Sequence, residues 1–444
     1  MTHVAIIGNG ISGVTAARHI RKNSDYQITL ISAETDYFFS RTALMYVYMG
    51  HMKFEHTQPY EPWFWKKNRI DLRKGYVEKI DYSDQNLKFA DGSELKYDQL
   101  ILATGSTPNK FGWKGQDLDG VGGLFSKQDL DKMEQFTQNI TRGVIVGGGL
   151  IGVEMAEMLL SRNIPVTFLV RENQFWGNVL PKQESDLIMR HMKEHHVDLR
   201  LSSELDEIID DGTGRVKAIK TKSGDIIECG WVGLTAGVSP NIKFLKNTEL
   251  ETNRGILVGK DLQTNIPGVY AIGDCAEFKE PVAGRRSIEQ VWYTGRIMGE
   301  TVAQTITGHP CEYTPGNWFN SAKFFDVEYQ TYGWVFPNLP EGQKDFYWEH
   351  EKGKMCMHFV FEKKSRKFIG INTFGIRLRH NVFDGWLNES ASIELVLEHL
   401  KDANFDPEFY TQYELEIVAK FNAENGTAIQ PKKKSWKRIL KFMS

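Results

Sequence analysis

A run of six residues, Gly8-Asn9-Gly10-Ile11-Ser12-Gly13, follows the apolar stretch Val4-Ala5-Ile6-Ile7 and precedes a segment of helical periodicity that reaches about Lys22. Glycines at this spacing, between a strand and a helix, suit a bound pyrophosphate. Gly8 permits the tight turn, Gly10 lets the backbone approach the phosphates, and Gly13 lets helix and strand pack closely. The helix N-terminus then turns unpaired N–H groups toward the negative charge. Glu34 lies 21 residues beyond Gly13, at the end of the next strand, where an acid meets ribose hydroxyls. A second run, Gly147-Gly148-Gly149-Leu150-Ile151-Gly152-Val153-Glu154, follows Val144-Ile145-Val146 and repeats the pattern. Two dinucleotides on one chain imply a relay in which one hands hydride to the other, and FAD with NADH or NADPH is the natural pair.

Such turns work only at the carboxyl edge of a parallel sheet, so the surrounding elements are read for that architecture. A short apolar strand, a tight turn and an amphipathic helix occur near residue 3 and again near residue 143, with further strands at Gln27–Ser32 and residues 165–170. The length of 444 residues exceeds what one core organises and leaves room for two or three domains. After about residue 310 the texture changes. Residues 317–374 are rich in aromatic and β-branched types, with turn signals at Glu341-Gly342 and Lys352-Gly353, which predicts an antiparallel sheet, and helices are expected from Ser390. A net charge of −3 gives no nucleic-acid bias. Cys229, Cys275, Cys311 and Cys356 are too widely spaced for a zinc ribbon, a C-x-x-C pair or a disulfide framework, so the chain reads as reduced and cytoplasmic. The first strand starts almost at Met1, so no leader is expected, and no apolar run reaches membrane-spanning length.

Two more segments extend the pattern: Asp98-Gln99-Leu100-Ile101-Leu102-Ala103-Thr104-Gly105-Ser106-Thr107-Pro108 and Thr264-Asn265-Ile266-Pro267-Gly268-Val269-Tyr270-Ala271-Ile272-Gly273-Asp274-Cys275. With these four motifs, residues 1–310 resemble the pyridine nucleotide-disulfide oxidoreductase superfamily, especially its ferredoxin reductase-like, rubredoxin reductase-like and nitrite reductase flavin-domain branches. The resemblance implies an α/β fold of two Rossmann-like dinucleotide-binding domains, the nicotinamide domain nested in the FAD domain. The first of the two segments leads out of the FAD domain, Leu234-Thr235-Ala236-Gly237-Val238-Ser239-Pro240-Asn241 leaves the nested domain, and the second segment returns to the FAD domain. The division implied is FAD domain at 1–112 and 246–310, NAD(P) domain at 113–245, a C-terminal α+β interface domain at 311–425 and a basic tail at 426–444.

By the same resemblance the FAD set is Gly8, Gly10, Ile11, Ser12, Gly13, Glu34, Arg41, Val77, Ala103, Thr104, Gly105, Gly273, Asp274 and Gln290, with Asp274 bonded to the flavin ribityl chain. The nicotinamide set is Gly147, Gly149, Leu150, Ile151, Gly152, Glu154, Arg171 and Gly237. A helix starting near Ile288-Glu289-Gln290 would aim its positive end at the flavin pyrimidine ring. No catalytic residue is assigned outright; Arg41, Thr42 and Glu154 are the candidates near flavin. Arg41 either approaches the flavin or pairs with a local acid such as Asp36. Glu154 either orients the nicotinamide carboxamide or is a solvated acid at a helix start.

One departure from the superfamily bears on the chemistry. Its disulfide reductases carry a C-x4-C pair near the flavin, and coenzyme A disulfide reductases and NADH peroxidases carry a single cysteine there, but residues 37–46 contain none and Thr42 stands at that place. Cys275 reads as packing. The expected function is therefore hydride transfer from NAD(P)H to FAD and onward passage of electrons to a ferredoxin- or rubredoxin-like protein, a quinone or oxygen. The alternatives are a redox-sensing FAD/NADH-binding interaction protein, or a disulfide or peroxide reductase with an unrecognised thiol. Val170 replaces the acid usual in NAD-specific relatives and Arg171 could meet a ribose phosphate, although Glu172 would repel it, so the balance leans to NADPH. No metal site is expected, because His195-His196 sits in a turn with no third ligand nearby, and Cys356 and His358 fare no better. Trp63-Phe64-Trp65 and the aromatic run at 318–348 are read as core or interface ahead of a substrate platform. The tail, from Lys432-Lys433-Lys434 through Trp436, Ile439, Leu440 and Phe442, is expected outside the core, with contact to a membrane face or acidic partner as the other option, and homodimerisation is left open.

Overall fold

The computed structural model describes residues 1–282, 284–406 and 411–432. Contacts divide the chain into two compact units, one of Met1–Arg171 with Ser203–Pro315, the other of Glu172–Ser202 with the chain from Gly316 onward.

The first unit grows around the strand His3–Ile7, whose Val4, Ala5 and Ile6 are wholly buried. A strand apolar on both faces belongs inside a parallel sheet covered on both sides. It lies at the centre of five parallel strands in the order Val269–Ala271, Gln99–Leu102, His3–Ile7, Gln27–Ser32, Ile70–Lys74. A second parallel set runs Val166–Leu169, Gly143–Val146, Trp231–Leu234, Val121–Gly122. All four of its strands fall in sequence between two neighbours of the first sheet, Gln99–Leu102 and Val269–Ala271, so one Rossmann-like fold is nested in the other, as expected. Each also carries a three-stranded antiparallel meander: Val77–Asp81, Asn86–Phe89 and Glu94–Lys96 in one, Leu205–Asp210, Val216–Thr221 and Ile226–Glu228 in the other. The outgoing and returning chains pair as short antiparallel strands, Ser106–Pro108 with Val238–Pro240.

The helix that faces the first glycine turn starts at Trp292 rather than at 288–290 and runs Trp292–Ile306, with Val291 as its N-cap. It packs on the Ile11–Asn23 helix through small residues. A Cβ on Gly295 would come within 2.5 Å of Ser12 Oγ, and one on Gly299 within 2.6 Å of the Ser12 carbonyl oxygen. The glycines let two backbones approach closer than side chains would permit.

The second unit is an antiparallel sheet in the order Phe319–Phe324, Val327–Gly333, Phe368–Phe374, Cys356–Glu362, Gln343–Glu349. Alternation splits the Cys356–Glu362 strand between two faces. Met357, Phe359 and Phe361 join a core with Phe383, Trp386, Val396 and Phe421 from the C-terminal helices. On the other face His358 meets Glu184, from the helix Lys182–Glu194. C-terminal helices begin at His380, earlier than the expected Ser390, as His380–Asn388, Ile393–Glu398 and Glu414–Asn425. Trp65 and Trp348 are core residues at 2% and 1% exposure, which removes them from any platform. The basic tail lies outside the described residues from 433 on, whereas Ile429 packs on the core of the second unit. Among the described residues no helix is long and apolar enough to cross a membrane.

Candidate cofactor site

The two glycine turns are built to one design. Gly8 has φ +118° and Gly147 has φ +122°, a backbone region that favours glycine. A Cβ on Gly8 would collide with the Ala103 carbonyl oxygen, and one on Gly147 would lie 2.6 Å from the Thr235 carbonyl oxygen, so each turn is pressed against the next strand's end. Gly13 is hemmed in by the Gly8 carbonyl, and Gly152 by Phe168 Cζ at 2.6 Å. Between them, Gly10 meets nothing within 4 Å and Gly149 only the Thr235 oxygen at 4.0 Å. These middle glycines cap their helices without any side-chain cap and with no acid in the first turn. Bare N–H groups facing open space at a helix N-terminus form a phosphate cradle.

A cavity of about 810 Å³ runs from the first turn to the second helix. Of the expected residues it is lined by Gly8, Gly10, Ile11, Ser12, Glu34, Arg41, Thr42, Val77, Ala103, Thr104, Gly105, Asp274 and Gln290, and by Leu150, Ile151 and Glu154 from the second nucleotide helix. Gly13, Gly273, Gly147, Gly149, Gly152, Arg171 and Gly237 are not in its wall. Gly13 and Gly273 stand behind it, since a Cβ on Gly273 would strike Ser12 Oγ. Its volume lies within the roughly 300–1,000 Å³ common for cofactor pockets.

Glu34 is held from two sides. Arg41 donates to both carboxylate oxygens, Nη1 to Oε1 at 3.0 Å and Nη2 to Oε2 at 2.7 Å, and the Lys127 backbone N–H donates to Oε1 at 2.9 Å. Three of about four lone-pair positions are thereby used, leaving Oε2 able to accept from a ribose hydroxyl. Arg41 also donates to the Phe125 carbonyl oxygen and lies over the rings of Phe39 and Phe125 at 5.1 and 4.6 Å. Its acid partner is Glu34 and not Asp36, which pairs with Lys74 at 3.2 Å.

At the strand ends Gln290 Nε2 donates to Ser106 Oγ at 2.7 Å, and Ser106 donates to Asp274 Oδ2 at 3.1 Å. Burial pushes the Asp274 carboxyl up, opposed by the Ser106 hydrogen bond and by the charge of Arg41. Burial, with the Glu157 carboxylate second, pushes the Glu154 carboxyl up to about 7. Thr104 donates to the Asn241 carbonyl oxygen at 2.9 Å, which ties the outgoing chain to the returning one beside the cavity. Ser106, Asn241 and Trp292 also line the cavity and were not assigned from sequence. Ser106 could have been, since it directly follows the Ala103-Thr104-Gly105 segment, but Trp292 depends on where the helix starts.

None of the four cysteines lines the cavity. Cys275 is fully buried, with Sγ donating to the carbonyl oxygens of Leu102 and Ile272 at 3.4 and 3.3 Å. Burial raises the thiols of Cys275 and Cys356, and that of Cys229 to about 12, so all three stay protonated at neutral pH.

The glycine cradle, the ribose-side acid and the buried Asp274 fit FAD, and the second turn fits a nicotinamide dinucleotide. Comparison with known proteins agrees. The chain is 29% identical over 321 residues to the NADH oxidase of Methanocaldococcus jannaschii, a match spanning 70% of this chain and 71% of that one. It is 29% identical over 340 residues to a ferredoxin–NAD(P)(+) reductase of Sphingomonas, spanning 74% of this chain and 80% of the relative. Its fold matches the crystal structure of a ferredoxin reductase from Rhodopseudomonas palustris with a TM-score of 0.78 at 21% identity, over 94% of this chain and 99% of that one. The sequence pattern of one family, pyridine nucleotide-disulphide oxidoreductase, runs through residues 2–303, both nucleotide turns included. The chain belongs to that family, and it is an oxidoreductase that uses FAD and a nicotinamide dinucleotide.

Proposed function

We propose that NAD(P)H reduces FAD in the 810 Å³ cavity and that the electrons then pass directly to an acceptor, without a protein thiol. The observation that carries this reading is the cavity wall, which combines the first glycine turn with Leu150, Ile151 and Glu154 of the second nucleotide helix and holds no cysteine. Bound FAD supplies a two-electron acceptor for the nicotinamide hydride that can release its electrons singly.

The chain's residues divide the remaining work. Gly10 and the N-terminus of Ile11–Asn23 hold the pyrophosphate. Arg41 and the Lys127 N–H keep the Glu34 carboxylate turned to the adenosine ribose. Asp274, oriented by Ser106, accepts from the ribityl hydroxyls, and Gln290 secures Ser106. Gly149 and Gly152 form the nicotinamide dinucleotide's turn, and Glu154 orients its carboxamide. Arg171 follows Val170 at the second strand's end, and although Glu172 beside it would repel a ribose phosphate, the missing acid at Val170 favours NADPH at least as much as NADH. The domain division at 1–112, 113–245, 246–310 and 311–425 belongs to the same reading, as does a cytoplasmic setting.

The acceptor class is a one-electron carrier of the ferredoxin or rubredoxin kind or a quinone, in line with the ferredoxin reductase among the relatives. Anaerobic stopped flow tests the nucleotide sites. Gly149→Val should retain yellow FAD yet no longer bleach with NADPH or NADH, whereas Gly10→Val should lose FAD, and Arg171→Ala should lose any preference for NADPH. Equal loss of flavin from the two glycine variants would refute the assignment.

A further inference from the structure

We propose that the second unit carries a site for one zinc-class divalent ion, with His191, His195 and Asp326 as protein ligands. His191 and His195 stand four residues apart at the C-terminal end of the Lys182–Glu194 helix, His195 being its C-cap, so both rings leave one helix face. Asp326 sits in the turn between Phe319–Phe324 and Val327–Gly333. Its Oδ1 lies 2.6 Å from His191 Nε2 and 2.9 Å from His195 Nε2, and one ligand atom from each residue falls within 4.8 Å of the others. The third ligand missing from the sequence reading is thus supplied from 131 residues beyond His195.

Three further features point to an ion. His191 has a side-chain exposure of 1%, and among the described residues neither of its ring nitrogens makes a contact of full hydrogen-bond geometry, although Asp326 Oδ1 stands against Nε2. A buried imidazole left so costs roughly 1–3 kcal/mol, and a metal would take up its lone pair. Glu194 Oε2 stands 3.6 Å from the far nitrogen of the same ring, Nδ1, and 3.3 Å from Lys354 Nζ. At 3.6 Å this is not yet a hydrogen bond, but a small approach of the carboxylate would make it the outer partner that fixes a ligating imidazole's orientation. The His195 ring is stacked on Phe325 at 4.5 Å and 9°, which holds its Nε2 toward Asp326.

Two imidazoles and a carboxylate suit zinc or a neighbouring transition ion over calcium or magnesium. Bond lengths near 2.0–2.1 Å require ligand atoms about 3.3 Å apart, so Asp326 must swing outward by less than about 1 Å. With side-chain exposures of 61% for Asp326 and 36% for His195, that movement is open, and water can complete the fourth position. The bound ion would pin the Lys182–Glu194 helix to the hairpin within one unit, independently of the flavin chemistry.

The test uses the full-length FAD-loaded protein without a histidine tag, stripped by chelation and desalted. Zinc chloride is titrated against a chromophoric chelator, with metal content measured by mass spectrometry. One zinc per chain is expected, with affinity at least about tenfold weaker in His195→Gln and in Asp326→Asn and unchanged in the exposed neighbour variant His196→Gln. Zinc should raise the thermal midpoint of the wild type but not of the two ligand variants, and FAD content should be equal in all four. No zinc bound by the wild type, or equal binding in Asp326→Asn and His195→Gln, would overturn the proposal.

Discussion

Glu154 is the cavity residue whose chemistry depends most on its surroundings. With its carboxyl pushed up to about 7 by burial and by Glu157, it changes charge at neutral pH. If it orients the carboxamide, flavin reduction by NAD(P)H shifts in rate around pH 7. Glu154→Gln should flatten that profile and slow reduction roughly tenfold, equivalent to about 1.4 kcal/mol, with FAD still bound. A break near pH 7 that persists in the variant would remove Glu154 from the site. In the second unit His358 is shifted up as well, but here the charged form is the one favoured. Burial alone would lower its pKa, but the hydrogen bonds it donates to Asp345 at 2.9 Å and to Glu184 at 2.8 Å outweigh it and raise the imidazole to about 9. A folded pKa above the ordinary 6.5 means that this stabilisation is complete below about 6.5 and is lost as pH rises through about 9. Thermal unfolding should therefore find His358→Gln costly at pH 6, on the order of 3 kcal/mol, because the buried Glu184 is left uncompensated. The cost should shrink toward pH 10. A penalty that does not vary with pH would mean that the imidazole is not charged in the folded protein.

Among the elements, the helices Ile11–Asn23 and Trp292–Ile306 pack closely beside the first glycine turn and both contribute to the cavity wall, through Ile11, Ser12 and Trp292. Gly299 faces Ser12 and Thr15 so closely that Gly299→Leu must push the helices apart, at roughly 1–3 kcal/mol or more. FAD retained after gel filtration should fall by at least half in that variant and stay unchanged in Gly385→Ala, since a Cβ on Gly385 meets nothing within 4 Å. Full FAD retention in Gly299→Leu would contradict this packing role. The glycine turns were legible in sequence because their demands are local: a left-handed φ at Gly8 and Gly147 and contact with the next strand's end. The start of the Trp292–Ile306 helix was not, since Val291 caps it without a side-chain hydrogen bond and leaves no signature. His380–Asn388 was missed for a related reason. Its Asn381, Asp384 and Gly385 read as loop, and only burial of Phe383 and Trp386 against the sheet commits it to helix.

At the scale of the molecule, the nested order of the two parallel sheets followed from motif order, but the company kept by residues 172–202 did not. The Lys182–Glu194 helix shows an apolar face in Leu187, Ile188 and Met192, yet nothing local says that Glu184 on the same helix will bond His358 and Asn372 on a sheet more than 170 residues later. The same long-range closure brings Asp326 to His195. Within the cavity the sequence named the first glycine turn, Glu34, Asp274 and the second nucleotide helix but less than half of the wall, and it also lacked the orientation of side chains, such as the Arg41 clamp on Glu34. The proposed route for electrons leaving the flavin includes no thiol. Its most direct test is a protein in which Cys229, Cys275, Cys311 and Cys356 are all replaced by alanine, titrated anaerobically with NAD(P)H beside the wild type and then assayed with ferricyanide or a small quinone. Both proteins should be fully bleached by one equivalent of NAD(P)H per FAD and should turn over at near equal rates. Uptake by the wild type beyond one equivalent, or loss of turnover in a cysteine-free protein that still holds FAD, would show that a thiol does take part.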